Sequence, residues 1–151
     1  MKKVLITLDY DSTSQKVAER GYTMAKAMHA EIILLHVISN PILYYNSYAG
    51  LFTGMIPPQI ENVDQLKTIA QKFLDKTKHD LGNETIRTLV KEGETAYSIL
   101  ETAKELDADI IVLGTHSRKW LENILMGSVA EKVLKDTTLP LFIIPTKKID
   151  E

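Results

Sequence analysis

Asp109-Ile110-Ile111-Val112-Leu113, running straight into Gly114-Thr115-His116-Ser117-Arg118-Lys119, is the stretch on which the fold turns. Its first half is a short apolar, β-branched run of strand length, and its second half opens a loop. The loop returns at Gly127, with room for a helical turn from Trp120 to Met126. Ser128 starts a helix whose apolar side is Val129, Val133 and Leu134, and Ser128 with Glu131 has the spacing of a capping box. Leu139 to Ile144 closes the chain as a strand, punctuated by Pro140 and Pro145.

The same alternation continues upstream. Ala96, Ile99, Leu100, Ala103 and Leu106 mark a helix, preceded by a Glu92-Gly93-Glu94 turn. Thr85 to Lys91 is a more polar strand, suited to a sheet edge, and Leu66, Ile69, Ala70, Phe73 and Leu74 mark a helix ending near Gly82. Ile32 to Val37 is apolar on both faces, as a strand covered on both sides must be. Val17, Gly21, Met24, Ala25 and Met28 form one helical face, and Val4 to Leu8 is a strand that stops at Asp9, Asp11 and Ser12. Strand–helix alternation throughout predicts an α/β fold: one doubly wound domain over residues 1–151, with an open, largely parallel sheet.

Composition narrows the class of function. Charged residues make up 25% and the formal net charge is -2, which gives no attraction to nucleic acid or to an anionic membrane. Cysteine is absent, so disulfide and thiolate chemistry are excluded, as suits a reducing compartment. No apolar run has the length of a signal-peptide core or a membrane span. A cytoplasmic location is the expectation.

Doubly wound sheets bind ligands beyond the carboxyl ends of their strands, where strand order reverses. Two such ends carry chemistry. One places Asp9 at the rim after Thr7-Leu8; the other opens the Gly114 loop that returns at Gly127-Ser128, a helix start suited to an anion. Gly127 permits close backbone approach and a positive φ if one is needed. Arg118 and Lys119 add positive charge nearby. Ordinary roles stand beside these: Ser128 as a cap, Gly127 as a loop glycine, and Asp9 as a solvated or capping carboxylate.

These residues resemble the universal stress protein family. The likeness runs from Lys3 to Pro145 and is most specific in Ala108 to Arg118 and in Gly127-Ser128-Val129-Ala130-Glu131-Lys132-Val133-Leu134. The opening strand ending in Asp9, Leu35-His36-Val37, Glu92-Gly93 and Leu139 to Pro145 support it. The resemblance implies a Rossmann-like, five-stranded parallel sheet of order 3-2-1-4-5 and an adenine nucleotide, ATP or a relative, as ligand, with Mg²⁺ an open question. The ATP-binding branch carries Gly-x-x-Gly, nine residues, then Gly-Ser or Gly-Thr. Here the spacing is kept from Gly114 to Gly127-Ser128, but Ser117 replaces the second glycine. Tyr10 and Asp11 replace small residues, and the extra carboxylate would repel phosphate or help hold a cation.

Carried over by position, Thr7, Leu8, Asp9 and Val37 would line the base and ribose. Gly114, His116, Ser117, Gly127, Ser128, Val129 and Ala130 would surround the phosphates, with Arg118 added on charge alone. The family also implies a homodimer paired through Leu139 to Ile144. A nucleotide-binding stress module with at most slow hydrolysis is one reading; a nucleotide-free adaptor, favoured by Ser117, is the other. Enzyme chemistry finds little support: no Gly-Lys-Ser/Thr triplet occurs, and His29, His36, His79 and His116 lack metal-ligand spacing. His116 beside Ser117 supplies triad residue types without the triad's geometry, and His36 is expected to be structural. The Tyr-rich segment from Ser39 to Asn62 reads as a flap packed on the sheet end, or as a lid or partner surface.

Overall fold

Nine elements account for most of the computed structural model, which describes residues 1–39, 63–115 and 127–146. In chain order they are β1 (Lys3–Thr7), α1 (Ser14–Ala27), β2 (Glu31–Ile38), α2 (Val63–Asp80), β3 (Arg87–Glu92), α3 (Thr95–Glu105), β4 (Ile110–Gly114), α4 (Ser128–Asp136) and β5 (Leu141–Ile144). The five strands form one sheet of order β3-β2-β1-β4-β5, parallel at every pairing. The order predicted by the family resemblance is the one observed. β1 is central, with Leu5 opposite Ile33 on one side and Ile111 on the other.

Period-two alternation divides the core in two. Val4, Ile6, Ile32, Leu34 and Val112 pack beneath α1 and α2, against Val17, Ala25 and Leu74. Leu5, Ile33, Leu35, Ile111 and Leu113 point the other way, onto Ala96, Ile99 and Ala103 of α3 and Ala130 and Val133 of α4. Strands apolar on both faces are therefore covered on both faces. α1 lies close on its side: a Cβ at Gly21 would stand 3.0 Å from Ile6 Cδ1 and 3.1 Å from Val112 Cγ1. Among the described residues no helix is long and apolar enough to cross a membrane.

Element ends move where side chains take backbone hydrogen bonds. β3 begins at Arg87 rather than Thr85 because Asn83 Oδ1 accepts from both the Thr85 N–H (3.0 Å) and its hydroxyl (2.6 Å), closing a turn. β5 begins at Leu141 because the Thr137 hydroxyl accepts from the Leu139 N–H and donates to its carbonyl. The capping box expected at Ser128 does not form. Gly127 is the N-cap, Ser128 is the first helical residue, and the Glu131 N–H donates to the Gly127 carbonyl. Gly127 itself is extended (φ -68°, ψ 160°), so a positive φ is not what this position uses. The Tyr-rich segment expected between Ser39 and Asn62 lies, from residue 40, outside the described residues.

Candidate functional site

A cleft opens at the carboxyl end of the sheet, where β1 and β4 are neighbours and their connections diverge to opposite faces. The end of β1 contributes Thr7, Leu8 and Asp9. β2 contributes Leu35 and Val37, and β4 contributes Leu113 and Gly114. Gly127, Ser128, Val129 and Ala130 close it from the start of α4. Nine of the residues predicted from the sequence therefore share one cavity, although they come from four separate stretches of chain. His116, Ser117 and Arg118 lie outside the described residues.

Sequence reasoning missed Thr13, Ser14 and Val17 of the α1 start, Thr95 and Ile99 of α3, and Leu35 and Leu113. Periodicity could have found several of them. Leu35 precedes Val37 by two positions on the same face of a strand, and Thr95 and Ile99 are four apart on a helix.

Three helix starts meet at this cleft. Neither Thr13 of α1 nor Gly127 of α4 caps its helix with a side chain, and α1 has no acidic residue in its first turn. The third start is already occupied: Glu94 accepts from the N–H groups of Ala96 (3.2 Å) and Tyr97 (2.8 Å) and reaches Lys132 of α4 at 3.5 Å. Its carboxyl is held below the usual range chiefly by the Tyr97 N–H, with the Ala96 N–H and Lys132 adding to the effect and desolvation opposing it. At α1 the Asp11 carboxylate already accepts from the Thr13 N–H at 2.8 Å, so among the described residues the partial positive end of α4 is the one most open to an anion.

The walls are set by close contacts. A Cβ at Gly114 would lie 2.7 Å from Val17 Cγ2 and 3.1 Å from Thr146 Cγ2, so only glycine lets β4 pass α1 here. Thr7 donates its hydroxyl to the Val112 carbonyl at 3.1 Å, tying β1 to β4 and leaving oxygen lone pairs as its remaining function. At the exit of β4 the buried Thr115 hydroxyl accepts the Thr146 N–H at 3.1 Å. Asp11, the extra carboxylate noted in the sequence, sits at the start of α1 beside the cleft residue Thr13. Its Oδ1 accepts from the Thr13 N–H (2.8 Å) and hydroxyl (2.6 Å), and it lines a neighbouring groove with Tyr10, Gln15 and Phe73. Among the described residues no group of three or more His, Asp or Glu side chains is placed to hold a metal ion.

The chain matches the universal stress protein family over residues 1–145. It belongs to that family. Universal stress protein MJ0531 of Methanocaldococcus jannaschii is 32% identical, over 97% of this chain and 84% of its own length. Three solved structures share the fold at lower identity. Hypothetical protein MJ0577 superposes with a TM-score of 0.72 at 24% identity, covering 98% of both chains. A universal stress protein in complex with cAMP gives 0.65 at 20% identity, covering 97% of this chain and 98% of its own. The Archaeoglobus fulgidus universal stress protein in complex with dAMP gives 0.61 at 16%, covering 95% of this chain and 97% of its own. In this universal stress protein Gly114, Gly127 and Ser128 line one cavity.

Proposed function

We propose that this universal stress protein binds an adenine nucleotide in the cleft and acts as a nucleotide-responsive binding module, not as an enzyme of rapid turnover. The observation that carries the reading is the convergence of an apolar floor with the start of α4, which lacks a side-chain cap. Leu35, Val37, Ile99 and Leu113 suit a flat base, and the lone pairs of Thr7 and the carboxylate of Asp9 suit N–H or O–H donors of the base and ribose. Gly127 and Ser128 at the start of α4 suit phosphate. The complexes of two fold neighbours, with cAMP and with dAMP, support adenine as the base. His116 and Ser117 are assigned to the phosphate side by position in the family pattern alone, and Arg118 by its charge alone.

A homodimer through β5 and a cytoplasmic setting complete the reading, the latter because a chain without cysteine suits a reducing compartment. Ser117 favours a second reading, a nucleotide-free adaptor, since a serine forced to positive φ would cost roughly 1–2 kcal/mol. Calorimetric titration of ATP and AMP, with and without Mg²⁺, into nucleotide-stripped protein separates the two. Micromolar binding by the native chain is expected. Binding only by Ser117→Gly would establish the adaptor reading, and silence from both would end the nucleotide reading.

A further inference from the structure

The connection from β1 to α1 is held by a relay of hydrogen bonds. Asp11 accepts at its side chain from Thr13, and the Asp11 N–H donates to the Asp9 carbonyl at 3.0 Å. Both of these bonds are internal to the loop. Just before this loop, at the end of β1, His36 of β2 fastens the chain: its Nδ1 lies 2.7 Å from the Leu8 carbonyl. A carbonyl only accepts, so Nδ1 carries the proton.

The ladder shows what this bond does. Thr7 pairs with Leu35, and the Leu8 N–H still donates to the Leu35 carbonyl at 2.9 Å. In a regular parallel pair the next bond would run from the Val37 N–H to the Leu8 carbonyl. That carbonyl is turned instead onto a side chain of β2, and the strand leaves the sheet there. His36 is well placed to hold it: the side chain is 3% exposed, and its ring lies 6.1 Å from that of Phe73 on α2. Its neighbours Leu35 and Val37 face the cleft from the opposite side of the strand.

We propose that His36 is a positioning residue of the nucleotide cleft: by holding the Leu8 carbonyl it turns β1 out of the sheet and sets Asp9 at the cleft mouth. The inference rests on the nucleotide reading above and adds to it a residue that does not touch the ligand. Burial, which disfavours the charged imidazole, keeps His36 in the neutral form this bond uses.

The test is a double-mutant cycle on the full chain, His36→Leu with Asp9→Ala, read as the dissociation constant for ATP well below the melting transition. Each single substitution is expected to weaken ATP by about tenfold, the equivalent of one hydrogen bond to a charged or well-ordered group. The double variant should be no weaker than Asp9→Ala alone, because the two residues act through one contact. His36→Asn, whose side-chain amide can reach the same carbonyl, should bind within about threefold of native. Should the leucine variant not fold, His36→Met fills the space without a donor and replaces it in the cycle. Native affinity in the donor-free variant, with only the melting temperature lowered, would reduce His36 to a structural residue and overturn the inference. Losses that multiply in the double variant would overturn it too. No ATP binding by the native chain would remove the nucleotide reading itself, and this inference with it.

Discussion

At the scale of single residues, Gly114 shows a steric requirement that the sequence disguises as a motif. Because its Cβ would meet Val17 and Thr146 at 2.7 and 3.1 Å, Gly114→Ala overpacks the seam between β4 and α1. A cost of about 1–3 kcal/mol is expected, read as a lowered urea midpoint, and Val17→Ala in the same chain should restore part of it. His36 yields a pH prediction whose sign follows from burial. Desolvation lowers its pKa below 6.5, partly offset by the Leu8 bond and then by Asp9 and Asp11, so the unfolded chain binds the extra proton first. The stability it confers is complete above the unfolded value of about 6.5 and is lost as pH falls below it. The melting temperature should therefore fall between pH 7.5 and 5.5, and His36→Asn should flatten that slope. A native profile flat across this window would contradict a neutral, buried His36. Of this scale the sequence disclosed the residue types at the cleft. It did not disclose the occupation of Asp11 by Thr13, which is a matter of distances within a turn.

Among elements, the helix starts decide what the cleft can attract, and they divide by cap. Ser128 and Glu131 satisfy the capping-box pattern in sequence, yet the helix begins one residue earlier because Gly127 supplies the carbonyl that Glu131 uses. A pattern of residue types cannot register such a one-residue offset, since glycine caps almost as well as serine. Ser128→Ala is accordingly expected to change stability by less than about 0.5 kcal/mol in a denaturant titration, whereas loss of a true cap would cost about 1. On the nucleotide reading the same variant should weaken ATP binding. Glu94 is the opposite case: its carboxylate caps α3, and Glu94→Ala should cost about 1 kcal/mol. Because its carboxyl is held low in the fold, that contribution is present above the ordinary glutamate range and fades as pH falls through it. The helical turn expected between Trp120 and Met126 lies outside the described residues; among those described, the existence of each element was legible from periodicity. Boundaries at Thr85 and Leu139 were not, because Asn83 and Thr137 redirect backbone groups that a strand would otherwise use.

For the molecule as a whole, alternation of strand and helix was enough to predict a doubly wound sheet, but not its strand order, which came from the family resemblance. Among the described residues β3 and β5 are the edge strands of that sheet, and they differ in charge. β3 presents Arg87, Lys91 and Glu92, with Arg87 against Glu31 and Lys91 against Glu105 at 3.4 and 3.6 Å. β5 is Leu141-Phe142-Ile143-Ile144, pairs with β4 on one side, and carries no charge. Phe142 remains 39% exposed, and Leu134 on the neighbouring helix 50%. An uncharged apolar edge is a site of association unless something covers it, and a second copy of the same edge is self-complementary about a two-fold axis. Sedimentation at micromolar concentration should therefore give twice the chain mass. Phe142→Asp should shift it toward the monomer while leaving the circular dichroism spectrum unchanged, since the side chain is not part of the buried core. A native monomer at that concentration would refute the dimer. A dimer indifferent to Phe142→Asp would place the interface elsewhere.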